Sequence, residues 1–342
     1  MTIRQMLHLS VATNGDSARW DDFVSKHPDA TFFHRFIWGS ILQDGSIGDR
    51  LYFILEDNRD VLAIMPAFLL RNPINNLRCL PISDYGSPLV SDNYDSGKIF
   101  LRLLNQVRYE SLRHLCLYFS FRLPSFSALR NARISGYKCR LTNFSTRLSI
   151  SGKNEDDIWK QISKKRRNSI KKALRSDLEI RNGTTENDFQ HYYRMHTACL
   201  GRGRGDLLLN YRIFGSIRDK LVAGRDYVMM LAYHQGVPIA GTISFVFMDK
   251  VYLWNNVSYK EFWNLNPNDL LYWEVMRYAC ERGYKVVDLG ASPMSKKGGT
   301  SFFKGQFGGD LIGLLDYYYS PIPFFLRSVS IISKMRSRFQ NE

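Results

Sequence analysis

The chain has few of the features that announce the commoner functional classes. Its 342 residues include five cysteines, Cys79, Cys116, Cys139, Cys199 and Cys280, scattered and without a C-x-x-C pair. That pattern argues against a disulfide scaffold or a thiolate-bound metal and predicts buried thiols in a reducing cytoplasm. No run approaches the ~18 consecutive apolar residues of a membrane-spanning helix. The opening "MTIRQMLHLSVATNGDS" lacks the basic segment and apolar core of a secretory leader. The seven histidines are dispersed, with no metal-like spacing. His196, in "YYRMHTACL", falls on an expected helix and reads as a structural histidine. G-x-G-x-x-G after a strand, G-x-x-x-x-G-K-[ST], H-E-x-x-H and G-x-S-x-G are all missing. No bound metal or cofactor is therefore expected, nor a hydrolase with a recognisable signature.

What is present is bulk to bury and a surplus of positive charge. Hydrophobic residues make up 44% and aromatics 14%, which rules out wholesale disorder. Against 32 acidic residues stand 47 basic ones, a net charge of +15. Such a surface attracts polyanions: RNA, nucleotide-linked substrates, phosphorylated lipids or an anionic membrane face. The length suits two domains of ordinary size.

Apolar periodicity divides the chain into two similar halves. "RLYFILEDNRDVLAIMPAFLL" reads as a strand, a polar turn and a strand, followed by a helix from about 94 to 111 and the strand "HLCLYFSF". A further helix is expected near 125–134, then the strand "YKCRLTNFSTRLSI". "DYVMMLAYHQGVPIAGTISFVFMDKVYLWNNVSY" gives three strands, and "NPNDLLYWEVMRYACERGYKVVDLG" a helix and a strand. Each half thus has a hairpin, a helix and a further apolar strand, a duplicated α/β unit with its boundary near Ile150. The expected division is 1–150, 151–320 and a basic amphipathic tail helix over 321–342.

Between the halves, "EDDIWKQISKKRRNSIKKALRSDLEI" reads as a helix with an acidic start and a basic remainder. Ile158, Ile162, Ile170 and Leu174 form its apolar stripe. Its block of Lys164, Lys165, Arg166, Arg167, Lys171 and Lys172 is either a solvated face or a phosphate-binding one. The tail places Phe325, Val329, Ile332, Met335 and Phe339 three or four apart. That stripe suits docking onto the protein body or lying on an anionic membrane. "GTSFFKGQFGG", 299–309, reads as a flexible aromatic loop carrying one cation, Lys304.

Four segments carry a family resemblance: "WDDFVSKHPDATFFHRFIWGSIL", "GVPIAGTISFVF", "VYLWNNVSYKEFWNLNPNDLLYWEVMRYACERGYKVVDLGAS" and "FFKGQFGGDLIGLLDYYYS". In this order they span nearly the whole chain and resemble the Fem family of aminoacyl-tRNA-dependent peptidyltransferases and their acetyltransferase-like relatives. The resemblance implies two tandem GNAT folds, each a mixed, mostly antiparallel sheet flanked by helices. It also implies a cytoplasmic location and transfer of an acyl or aminoacyl group to an amine. The Phe-Lys pair that meets the donor in the Fem enzymes corresponds to Phe303 and Lys304.

Amide formation needs a deprotonated amine, a fixed approach and donors aimed at the developing oxyanion. Lys304 is the candidate for the oxyanion or donor phosphate, and Asp288, ending the strand in "VVDLGAS", for orienting or deprotonating the amine. Trp254 and Asn255, with Asn256, lie on a neighbouring strand whose alternation sends them to opposite sides; Tyr272 lies on the following helix. Arg202 and Arg204 in "GRGRGD", with Arg166 and Arg167, are candidates to grip the phosphates of an acceptor held by the two domains. The [QR]-x-x-G-x-[GA] turn that binds coenzyme A pyrophosphate in ordinary GNAT enzymes is replaced by "FWNLNPNDLLYW", which has no glycine. The expected donor is therefore aminoacyl-tRNA, with acyl-CoA or an acyl carrier as the alternative, in either case a co-substrate. The expected acceptor is an amine on a nucleotide- or lipid-linked peptidoglycan or polysaccharide precursor, with peripheral contact to anionic membrane and no DNA partner. A non-catalytic polyanion-binding protein of the same fold is the remaining alternative.

Overall fold

The computed structural model describes residues 7–57, 60–71, 74–92, 95–131, 134–200, 209–293 and 299–322. The chain forms two compact units, one of residues 1–142 together with the chain from Leu314, the other Asn143–Gly313.

In the first unit β1 (His8–Val11), β2 (Asp49–Glu56), β3 (Val61–Leu70) and β4 (Asn76–Cys79) form consecutive antiparallel pairs, and β5 (Leu89–Val90) adds to β3. β6 (Tyr118–Pro124) runs parallel to β4, paired over Asn76–Arg78 and Tyr118–Ser120. Helix α3 (Ser96–Arg113) makes that crossover. Asp95 caps it by accepting the Lys98 amide, and Phe100, Leu103, Leu104 and Val107 lie against Phe119, Phe121 and Leu123 of β6. Helices α1 (Ser17–Lys26) and α2 (Phe36–Asp44) add an aromatic cluster in which Trp20 stacks on Tyr52 at 4.6 Å. Among the described residues the helix expected near 125–134 is one 3-10 turn, Ala128–Asn131.

The second unit begins within β7 (Lys138–Ser149). Two helices follow where one was expected: α4 (Glu155–Gln161) and α5 (Lys164–Leu174). Ile162 is extended, and Ser163 starts a new helix by accepting the Arg166 amide. The cap chemistry of serine overrides the continuous apolar stripe. Ile158, Ile162 and Ile170 are buried as expected, whereas Leu174 is 58% exposed. β8 (Leu178–Asn182), α6 (Glu186–Leu200) and α7 (Tyr211–Lys220) lead into the meander β9 (Tyr227–His234), β10 (Val237–Phe247) and β11 (Lys250–Ser258). Gln235 and Gly236, both at positive φ, make the tight β9–β10 turn. Helix α8 (Pro267–Glu281) crosses to β12 (Val286–Ser292), which runs parallel to β11. Then come the short helix α9 (Thr300–Gly305) and β13 (Asp310–Tyr319). α4, α5 and α8 cover one face of this sheet, with Trp159 edge-on to Trp273 at 4.8 Å.

The units divide inside β7, between Thr142 and Asn143, and inside β13, between Gly313 and Leu314, where 150 and 320 were expected. Residues 144–149 of β7 pair with β12 in the second unit, while 314–319 of β13 pair with β6 in the first. A strand's membership follows its ladder, which composition does not reveal. The tail helix expected from 321 lies outside the described residues past Ile322. Of the cysteines, Cys79 and Cys116 are buried, but Cys139, on β7, is exposed.

Arg122 and Asp316 fasten β13 to β6 through two bonds, Nε–Oδ1 at 2.6 Å and Nη2–Oδ2 at 3.0 Å, and Thr142 donates to Asp316 at 2.8 Å. Burial pushes the Asp316 carboxyl up, but the bonds and charge of Arg122 and the Thr142 hydroxyl outweigh it and hold it below the ordinary value of 3.8. Its contribution is therefore present above 3.8 and lost as pH falls through the lower folded value. Asp316→Ala, which leaves Arg122 buried without its partner, is expected to cost about 3 kcal/mol at pH 7. In urea titrations the gap to wild type should narrow at acid pH; a constant gap would remove the ion pair as its cause.

Candidate active site

The parallel ladder between β11 and β12 is short. It joins Lys250, Val251 and Tyr252 to Val286, Val287 and Asp288, and then the two strands part. Beyond it Gly290, at φ +78°, turns the chain, and the β12–β7 register shifts between Asp288 and Ala291. Carbonyls here lose their β11 partners while remaining inside the protein, where an unpaired polar group is costly. Lys304 supplies a donor. Its ammonium donates to the Gly290 carbonyl at 2.9 Å and the Ala291 carbonyl at 3.4 Å, and the residue is 6% exposed. The lysine expected on a flexible loop is thus buried and helical. Two of the loop's glycines serve close packing: a Cβ on Gly309 would meet the Arg147 carbonyl at 2.6 Å, and one on Gly308 the Gln161 carbonyl at 3.1 Å.

An aromatic wedge fixes α9. Phe303 meets Tyr272 of α8 edge-on at 5.2 Å, and Phe307 lies 5.2 Å from each of them. The Arg166 guanidinium lies 4.9 Å from the Phe303 ring centroid and donates to Gln306 and to Asp269, both at 2.9 Å. Arg166, expected to grip phosphate, is instead committed inside the unit as a tie between α5, α8 and the end of α9. Burial raises the Asp269 carboxyl above its ordinary value, against the opposing charge and hydrogen bond of Arg166. Arg167 is half-buried and has no ion-pair partner among the described residues, while Lys164, Lys165, Lys171 and Lys172 are exposed.

The remaining candidates lie on the opposite sheet face. Val287 and Leu289 belong to the core under α8, so alternation turns Asp288 away from it. Asp288 is 1% exposed; it accepts from the Ser145 hydroxyl, from the Gly290 amide at 2.9 Å and from Arg147 Nε at 3.3 Å. Asp288 and Lys304 therefore meet at Gly290, one binding its amide and the other its carbonyl. Tyr272 and Asp288 do not share a face. Trp254 is skipped in the β10–β11 register, which runs from Ile243–Asn255 to Ser244–Leu253. This bulge puts Trp254 and Asn255 on one side, contrary to strict alternation. Trp254 packs near Phe245 (5.3 Å) and Phe214 of α7 (6.1 Å), while Asn255 accepts from the Tyr192 hydroxyl of α6 at 2.7 Å. His196 packs 5.3 Å from Phe214, as a structural histidine would. Arg202 and Arg204 lie outside the described residues.

Sequence reasoning missed Ser145, Arg147, Tyr192 and Asp269. The first two sit two apart on a strand, a pattern compatible with any exposed edge. Asp269 reads as an ordinary acidic residue in a helix's first turn. Among the described residues no cluster of three or more His, Cys, Asp or Glu could hold a metal ion, and no helix is long and apolar enough to cross a membrane.

Comparison with known proteins places this geometry. Residues 161–304 match the family model described as an acetyltransferase (GNAT) domain. No curated protein matches in sequence. Among solved structures, FemX has a TM-score of 0.68 at 14% identity, with 90% of this chain and 96% of that chain covered. The C-terminal domain of a putative lysylphosphatidylglycerol synthetase from Agrobacterium fabrum gives 0.60 at 13%, covering 89% and 91%. A tandem GNAT protein from the clavulanic acid biosynthesis pathway gives 0.58 at 10%, covering 91% and 98%. Residues 161–304 are thus similar to a GNAT-type acetyltransferase domain, and the fold of the chain is that of FemX and the tandem GNAT protein.

Arg166→Met should lower unfolding stability by about 3 kcal/mol at pH 7, because it leaves the buried Asp269 carboxylate without its charged partner. With its raised folded value, Asp269 is readily protonated in mild acid, so the loss should shrink toward pH 4. Chemical denaturation at both pH values is the measurement, and an equal loss at the two would show that the carboxylate is not responsible.

Proposed function

We propose that the protein is an N-acyl- or N-aminoacyltransferase that forms an amide on an amino group of a phosphorylated cell-envelope precursor. The observation that carries this reading is the buried Lys304 ammonium in the opening between β11 and β12 of a GNAT-type domain. Attack of a neutral amine on an ester or thioester carbonyl moves charge onto the carbonyl oxygen, and a fixed cation in a water-poor site stabilises it without reorganisation. That attack forms the C–N bond. Collapse of the tetrahedral intermediate then restores the carbonyl, breaks the C–O or C–S bond and releases the alcohol or thiol, which carries off the proton lost by the amine, leaving the amide. Lys304 acts on the oxyanion. Phe303 and Tyr272 hold its helix in place. Asp288, whose oxygens already accept from Ser145, Gly290 and Arg147, acts as a positioning residue for the Gly290 turn and not as the base.

Two features favour an aminoacyl donor. At the start of α8, where a coenzyme A pyrophosphate would need amides and positive potential, the chain offers Asn266 in a left-handed conformation, Pro267 and the buried carboxyl of Asp269. The putative lysylphosphatidylglycerol synthetase, whose C-terminal domain is similar in fold, is named for an aminoacylated product. The acetyltransferase family model favours the second reading, an acyl-CoA-dependent transferase acting on an amino sugar. A cytoplasmic place, with the basic face of α5 meeting the phosphates of the precursor or of tRNA, belongs to the same proposal.

Supplying the purified protein with both donor types decides between them: RNase-sensitive transfer identifies aminoacyl-tRNA, and release of free thiol identifies acyl-CoA. With either donor, Lys304→Ala should retain a wild-type circular dichroism spectrum and lose about 10²-fold in turnover. Unchanged turnover would remove Lys304 from the chemistry.

A further inference from the structure

The first unit has a strand opening of its own. β4 and β6 pair in parallel only over Asn76–Arg78 and Tyr118–Ser120; β4 then ends at Cys79, while β6 continues to Pro124. In this opening lies a cavity of about 190 Å³, lined by Arg78, Ser83, Tyr118, Ser120, Arg122 and Tyr318 among others. Phe119 and Phe121 point into the core under α3, so alternation sends Tyr118, Ser120 and Arg122 to the cavity side. The volume matches roughly six waters of liquid, the scale of a hexose or an amino acid. It is well below the ~300–1,000 Å³ of ordinary cofactor pockets.

The polar groups here are unequally occupied. Asp316 accepts from Arg122 twice, from Thr142 and from the Tyr318 hydroxyl at 3.2 Å, and Arg122 also donates to the Asp84 carbonyl at 3.3 Å. That pair is internally satisfied. Arg78 has no ion-pair or hydrogen-bond partner among the described residues, yet its charge acts on Asp316, Tyr118 and Tyr318. Ser120 is 6% exposed, and its hydroxyl has no partner among the described residues. Burial raises the Tyr118 phenol and pushes Tyr318 up to about 12, so both remain protonated at neutral pH. A cation and a cavity-facing hydroxyl, both without hydrogen-bond partners among the described residues and set beside two protonated phenols, make a site for an oxyanion.

We infer that this cavity binds a small, hydroxyl-bearing anion of hexose size, with its phosphate or carboxylate against Arg78 and its hydroxyls toward Ser120 and the tyrosines. The site belongs to the first unit and does not rest on the transfer chemistry proposed for the second.

Calorimetric titration of the full chain with glucose 1-phosphate, glucuronate and glucose tests it. One or both charged sugars should bind at one per chain, and which of them binds separates phosphate from carboxylate; glucose should bind at least about tenfold more weakly. Arg78→Gln, at an exposed position, should weaken the charged probe by about tenfold or more, and Ser120→Ala by several-fold. Lys304→Ala should leave this binding unchanged. Thermal melts confirm that each variant is folded, and Tyr118→Phe serves as a second probe if Arg78→Gln is not. The inference is overturned if neither charged sugar binds, if glucose binds as tightly as they do, if folded Arg78→Gln retains wild-type affinity, or if the loss tracks Lys304 instead.

Discussion

A backbone carbonyl that leaves its ladder inside a protein needs another donor, and at the end of β12 that donor is an ammonium. The second unit is arranged around this requirement. β11 and β12 part after Tyr252 and Asp288, Gly290 turns the chain, and Lys304 reaches its carbonyl while Asp288 holds its amide. The lysine can do so only if α9 is fixed. Phe303, Tyr272 and Phe307 pack that helix against α8, and Arg166 ties its end to α5 and Asp269. One opening between parallel strands thus accounts for the positions of side chains from three helices.

The positive surplus is divided between two uses. Arg122, Arg147 and Arg166 are paired with Asp316, Asp288 and Asp269, and each pair joins elements distant in sequence. Removing one partner from such a pair strands a buried charge, so the pairs enforce register more than they add net stability. The exposed lysines of α5 are the other use, a field directed at solvent and at whatever polyanion approaches.

The two units repeat an order of elements without repeating the chemistry of the opening. In the second unit a lysine fills the gap between the parallel strands. In the first, the Arg122–Asp316 pair occupies one side, and Arg78 and Ser120 are left facing a cavity. The same backbone constraint, two parallel strands that separate, is met by different side chains, as expected where function is grafted onto a shared fold.

Most of the secondary structure was legible because it follows from local periodicity. The hairpin of β2 and β3, the meander from β9 to β11 and the long helices α3 and α8 each lie close to where alternation or a cap signal puts them. Local errors came from competing local chemistry: Ser163 divides one apolar stripe into α4 and α5, and a skipped Trp254 breaks alternation in β11. Of the site, the sequence identified Lys304, Phe303, Tyr272 and Asp288 as residue types suited to the chemistry, but not their partners. That Arg166 is spent on Asp269, that Asp288 faces away from Tyr272, and that Lys304 is buried on Gly290 depend on contacts between residues tens to a hundred positions apart or on which way a strand is turned. Composition and periodicity determine which elements form. Only the ladders and ion pairs of the folded chain decide which charges remain free to act.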